Sequence, residues 1–247
     1  MLTQYRSDGL GELMLQRWVN GGARLPLPVH GPEGVDSVVS GLRAAYALDG
    51  GYRVSHHGDA VVPRGGLGGV GVVFDVAAAG SSLVWSDGGV EVTGFLVDHG
   101  PVRPAVGYRV SYRGRSVAIS GDTVYSQNVV HGAQDVDVLL HEALSERLVN
   151  ELALAAHAAG RENLRAILDD IPGYHSTPEV AAAVAHASRA RMLVLHHIVP
   201  PLVVPGSAQA FLGDAGSVFS GPIRIAEDGD LISLPANSNE IVTTRLL

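Results

Sequence analysis

The sequence predicts an α/β fold in which strands precede helices in two successive halves, an order that suits a four-layer αββα sandwich. Two observations carry that expectation. The middle of the chain is a series of short apolar runs, among them VGVVFDV, SLVWS, VEVTGFLVDHG, RSVAISGDT and DVDVLLHEA, separated by glycine-rich turns. Such runs bounded by turn residues are strand signals. Other stretches, notably 145–168 and TPEVAAAVAHASR, space alanine, valine and leucine as a helix does.

Taken in order, LPLPVHGPEGVDSVVSGLRAAYAL predicts a short strand, a turn at Gly31 and Pro32, and a helix whose apolar face is Val35, Val38, Val39 and Leu42. YRVSHHG reads as the next strand, followed by the glycine-separated strands of the middle region. Arg113, Gly114 and Arg115 make a hairpin turn between VGYRVSY and RSVAIS. A later helix starts at Thr177, with Pro178 in its first position and Glu179 in its first turn. RMLVLHH is a further strand, SAQAFLGDAGSVF a helix, and PIRIAEDGDLISL a hairpin turning at Asp228 and Gly229. No repeat or interdomain linker interrupts the chain, so 1–247 is expected to be a single domain. Periodicity alone leaves other α/β folds open.

Composition narrows the function. With 247 residues and 46% hydrophobic content, the chain can bury a substantial core. It has no cysteine, which excludes disulfides, thiolate ligands and a cysteine nucleophile. No run approaches the roughly 18 apolar residues of a membrane span. The best candidate, MLVLHHIVPPLVV, is broken by His196, His197, Pro200 and Pro201. No membrane partner and a cytoplasmic location are therefore expected. The formal charge is −8, with 17 basic residues scattered along the chain. Nucleic-acid binding relies on lysine and arginine neutralising phosphates, so a small-molecule substrate is preferred to tRNA.

Chemistry concentrates between Phe95 and Ile198, where His99, Asp122, His141, His175 and His197 stand at or near the ends of predicted strands. Histidine nitrogen and aspartate oxygen are donors that Zn²⁺ or Mn²⁺ accepts, and a carboxylate can bridge two ions. His30, His131, His157 and His186 have ordinary surface or packing surroundings, and the pair His56 and His57 is read as structural. His141 and Glu142 are either partners that orient ligands or buried strand residues.

Five motifs in order, DHGPVRPAVGYR, SGDT, LLHEA, HSTPEVA and LHHIVPP, resemble the metallo-β-lactamase superfamily and, within it, the ribonuclease Z-like branch. The resemblance covers nearly the whole chain. It implies an αββα sandwich with two metal ions at one edge. His99 would bind the first metal, Asp122 would bridge both, His197 would bind the second, and His175 would donate a proton or stabilise the transition state. The cofactor would be zinc or manganese, and a homodimer is implied by analogy.

The family's N-terminal HxHxDH signature has no intact counterpart. In MLTQYRSDGLGELMLQRW, aligning Thr3 and Ser7 with their family counterparts puts Gln4 and Arg6 where two of its histidines stand and keeps Asp8 as a candidate ligand; without a gap Asp8 misses that position, and either way both histidines are gone. The strands that precede the signature in family members are also absent, so the expected domain is N-terminally incomplete. Catalytic zinc usually has three protein ligands, and by that count metal occupancy is expected to be reduced. The resemblance thus implies a metal-dependent hydrolase acting on a phosphodiester, ester or related substrate, impaired by loss of the first metal-binding motif. The alternative is a non-catalytic binding or partner subunit that retains the fold.

Overall fold

The computed structural model describes residues 9–246. The chain separates into two compact units, Met1–Val76 and Ala77–Leu247. Gln4, Arg6 and Asp8 lie outside the described residues.

The first unit contains α1 (Leu10–Val19), β1 (Leu27–Gly31), α2 (Val35–Ala45), α3 (Ala47–His57) and β2 (Gly69–Val73). β1 and β2 pair in parallel, Leu27 opposite Gly69 through Gly31 opposite Val73. The expected strand–turn–helix unit is therefore present as β1 and α2. Helix α1 was not anticipated. Met14 and Trp18, four residues apart, supply its buried face, and the Trp18 indole donates to the Pro63 carbonyl at 2.5 Å.

The expected strand YRVSHHG is instead the end of α3, with His56 and His57 exposed in its last turn. Gly50 and Val54 form its buried face, and Arg53 pairs with Asp49 at 2.6 Å one turn away. Gly50 permits close packing rather than a turn. A Cβ there would stand 2.6 Å from Leu67 Cδ2.

The second unit begins with four strands, β3 (Ser81–Asp87), β4 (Val90–Leu96), β5 (Val106–Tyr112) and β6 (Arg115–Ile119). It continues through α4 (Gln127–Gly132), β7 (Val138–Leu144), α5 (Glu146–Ala158), α6 (Glu162–Asp170), α7 (Pro178–Ala187) and β8 (Met192–Val199). α8 (Ser207–Leu212), α9 (Ala215–Val218), β9 (Ile223–Ile225), β10 (Asp230–Ser233) and β11 (Val242–Arg245) follow. One seven-stranded sheet has the order β3-β4-β5-β6-β7-β8-β9. Its first four strands are antiparallel neighbours, and β6 to β9 are parallel, with helices in each crossover.

Side chains alternate along the buried strands. Leu139, Leu193 and Leu195 pack with Phe95, Phe211 and the α7 alanines Ala181, Ala182 and Ala185. Val138, Met192 and Val194 form a separate cluster with partly buried Leu140 and Ile232. Helix α7 starts as expected, with the Thr177 hydroxyl accepting the Val180 N–H and Pro178 at the first position. The single helix expected over SAQAFLGDAGSVF is two, α8 and α9, divided where Gly213 takes a positive φ of 52°.

The hairpin expected in PIRIAEDGDLISL does not form. β9 joins β8 in parallel and β10 pairs with β11. A bidentate Arg224–Asp230 pair, at 2.7 and 3.1 Å, spans the turn between them. In this position Ile223 and Ile225 pack against the core cluster that contains Leu193 and Leu195. No helix among the described residues is long and apolar enough to cross a membrane.

Candidate functional site

Sheet topology gathers the candidate residues. β4 is antiparallel to β5, which is antiparallel to β6, so β4 runs in the same direction as β6, β7 and β8. The C-terminal ends of these strands share one edge. His99 follows β4, Asp122 follows β6, Glu142 is near the end of β7 and His197 near the end of β8.

Local backbone features aim these side chains. The two loops carrying His99 and Asp122 are tied together, as the Asp98 N–H donates to Thr123 Oγ1 at 3.0 Å and the Val124 N–H to the Asp98 carbonyl at 2.9 Å. His197 occupies a bulge. Glu142 pairs with His196 and Ala143 with Ile198, so His197 is the extra residue, and its φ is +50°. A bulge redirects a side chain, and a non-glycine residue with positive φ is strained.

The resulting geometry brings Asp122, His175 and His197 together, with one potential ligand atom from each inside 4.8 Å of the others. His197 Nδ1 is 3.5 Å from Asp122 Oδ1. The His175 ring stacks on that of His197 with centroids 5.5 Å apart, and the His99 ring lies edge-on to His175 at 5.3 Å. His99 is buried beside the group. Its Nδ1 is 2.9 Å from the Tyr174 carbonyl. A carbonyl only accepts, so Nδ1 is the donor, and Nε2 is the nitrogen that a neutral ring would offer to a metal.

Glu142 organises the inner wall. The carboxylate is fully buried, and its Oε1 accepts the N–H of Thr123 and of Ser176, both at 3.0 Å. The same oxygen stands 3.1 Å from His175 Nδ1. The Ser176 hydroxyl donates to the Thr123 carbonyl at 2.6 Å, and the Leu144 N–H donates to the Ser176 carbonyl at 2.8 Å. One carboxylate thus fixes the Asp122 loop and the His175 loop together. Glu142 Oε2 is buried without a hydrogen-bond partner among the described residues.

His141 faces the opposite side of β7, as the neighbour of a site residue in a strand must. It is fully buried, its Nδ1 lies 2.8 Å from the Glu142 carbonyl, and burial pushes its pKa down. It is a neutral strand residue. His131 and His157 pair locally with Gln127 and Glu162, and His186 is exposed in the last turn of α7. The contributions of Thr123, Tyr174 and Ser176 were not expected. The only signals for them were their places beside Asp122 and His175 in SGDT and YHST.

Two imidazoles and a carboxylate converging within 4.8 Å fit a divalent cation, since zinc accepts such nitrogen and oxygen donors. The Glu142 contact also matches the way outer carboxylates orient histidines around metals. The sequence expected His99 rather than His175 in the metal set. Both are present at the site, with His175 in the three-donor group and His99 beside it.

No protein-family model matches the chain. Its sequence is 31% identical over 243 residues to the ribonuclease Z of Mycobacterium avium, covering 96% of this chain and 80% of that protein. Among solved structures, the metallo-β-lactamase fold protein YhfI from Bacillus subtilis aligns with a TM-score of 0.57 at 16% identity, covering 92% of this chain and 72% of that one. Human tRNase Z, short form, aligns with a TM-score of 0.50 at 24% identity, covering 77% and 67% respectively. The α/β class and the metallo-β-lactamase fold are thus established. The preference for a small-molecule substrate over tRNA is overturned by relatives named as ribonucleases. The charge of −8 is an average over the chain and does not describe the surface around one site.

Proposed function

Because the chain belongs to the ribonuclease Z family, we propose that it is a metal-dependent hydrolase that cuts an RNA phosphodiester, with tRNA precursors as the substrate class. The observation that carries this is the convergence of Asp122, His175 and His197 within 4.8 Å on the edge where β4, β6, β7 and β8 end. The cytoplasmic expectation goes with this reading, since RNA precursors are processed inside the cell.

Asp122 and His197 would hold the cation, with His99 Nε2 available beside them. A divalent ion there supplies charge for the phosphoryl oxygens and lowers the pKa of water. Zinc suits this donor set best. The lack of an intact HxHxDH signature in MLTQYRSDGLGELMLQRW supports one ion per chain, held at the one three-donor group found among the described residues, and a rate below that of a two-ion enzyme.

His175 would deliver a proton to the departing ribose oxygen. Its Nδ1 faces Glu142 Oε1 at 3.1 Å, which leaves Nε2 as the nitrogen directed away from the wall. The Glu142 contact holds the ring in the orientation that such a donation needs. The Thr123 and Ser176 amides keep Glu142 from turning toward the substrate.

A second reading has specific support, because His175 is itself a member of the three-donor group. There it would be the third ligand, oriented by Glu142. Calorimetric zinc titration of His175→Ala separates the two. Affinity within a few-fold of wild type, with hydrolysis lost, identifies a proton donor, and loss of zinc binding identifies a ligand. Hydrolysis of a precursor RNA by the zinc-loaded chain tests the function itself.

A further inference from the structure

A groove of about 430 Å³ is lined in part by Asp98, the residue before His99, and has no part in the chemistry above. Its position is set by the tie between the His99 and Asp122 loops. Asp98, whose N–H and carbonyl bond to Thr123 and Val124, also lines the groove. The groove therefore opens one residue away from His99 in sequence and against the loop that carries Asp122.

Its lining has two characters. Leu96, Val97 and Ala105 supply apolar surface, whereas Asp98, Arg103 and Asn128 supply a carboxylate, a guanidinium and an amide. A volume in this range with apolar walls and a few polar groups is typical of a small-ligand pocket. A bare phosphate fits poorly, because Asp98 would repel it. A flat group that is apolar on its faces and carries both donors and acceptors on its edge fits well.

We propose that this groove is a nucleobase-binding subsite that receives the base of the nucleotide next to the scissile phosphate, with guanine the best match. Arg103 can donate two hydrogen bonds to guanine O6 and N7, as arginine does in base recognition. Asp98 can accept from the N1–H and the exocyclic amine. Single-stranded RNA ends present such unstacked bases to protein pockets. The assignment rests on the RNA-hydrolase reading, and it adds a base preference that the ligand cluster alone does not supply.

The test uses the full chain loaded with zinc. Calorimetry would measure binding of the four nucleoside 5′-monophosphates, with ribose 5-phosphate as the base-free control. Wild type should bind guanosine monophosphate at least tenfold more tightly than ribose 5-phosphate, and Arg103→Ala and Asp98→Asn should each remove most of that difference. Both side chains are exposed, so neither variant threatens the fold. In parallel, kcat/KM would be measured on short RNAs differing only in the flanking base and on a bis-aryl phosphodiester, which has no base. Arg103→Ala should lower the rate on the guanine-flanked RNA at least tenfold more than on the bis-aryl compound.

Equal binding of all five ligands, or a guanine preference that survives both variants, would overturn the subsite. If nothing is hydrolysed, the RNA-hydrolase reading fails, yet the binding measurements still decide whether a base site is present.

Discussion

The Nδ1 of His175 lies 3.1 Å from the Oε1 of Glu142, and that oxygen also receives the backbone N–H groups of Thr123 and Ser176. Glu142→Gln keeps an oxygen for the two amides and replaces the unpartnered Oε2 with an amide, so the fold should survive. It removes the charge behind His175. The expected result is a fall in kcat of roughly 10-fold or more, a share of the about 10²–10⁴-fold that a positioned proton donor contributes. An unchanged kcat would separate Glu142 from the chemistry.

His197 combines a place in the three-donor group with strain. Its φ of +50° is a conformation that glycine adopts freely and other residues adopt at a cost. His197→Gly and His197→Ala should both lose zinc binding, but the glycine variant should be the more stable by about 1 kcal/mol. Denaturant unfolding of the two variants, without metal, measures the difference directly. Equal stability would mean that the bulge relaxes when the imidazole is removed.

Arg115 and Asp137 form a buried bidentate pair at 2.9 and 3.0 Å. Arg115 also donates to the carbonyls of Pro235, Ser238 and Glu240, and Arg191 donates to Asp137 at 2.6 Å. The pair therefore anchors the segment between β10 and β11. Asp137→Ala leaves a buried guanidinium without its partner, a change that typically costs about 3–5 kcal/mol. Urea unfolding at neutral pH would show it.

The same carboxylate gives an acid dependence. Burial alone would raise the Asp137 pKa, but the hydrogen bonds from Arg115, the Ser116 N–H and Arg191 outweigh it and hold the group below the usual carboxylate range. A folded value below the unfolded one, about 3.9, means that this stability is fully present well above that pH. It is lost as pH falls through the folded value. Stability measured from pH 6 down to pH 3 should therefore fall less steeply for Asp137→Ala than for wild type. Parallel curves would contradict the assignment.

Three residues of the candidate site, His99, Asp122 and His197, stand out in the sequence because each follows or ends an apolar run, and His175 precedes a clear helix cap at Thr177 and Pro178. What placed His175 inside the three-donor group was not legible. That depends on Glu142 bridging two loops and on a bulge at His197, both products of strand register rather than local pattern. The missed helices have a similar origin. The faces of α1 and α3 are short and interrupted by glycine, and Gly50 reads as a turn signal until Leu67 is seen packed against it. Likewise β9 was misassigned to a hairpin because Asp228 and Gly229 do make a turn, while the partner of β9 is β8, far back in the chain.

The most direct test of the central claim is cleavage of a tRNA precursor with a 3′ extension by the zinc-loaded chain, measured for wild type and Asp122→Ala with zinc content determined on the same samples. The account predicts about one zinc per wild-type chain, metal-dependent cleavage at a phosphodiester, and loss of both in Asp122→Ala. A wild-type chain that binds zinc yet leaves the RNA intact would contradict it, and would favour the non-catalytic member of the family that retains the fold.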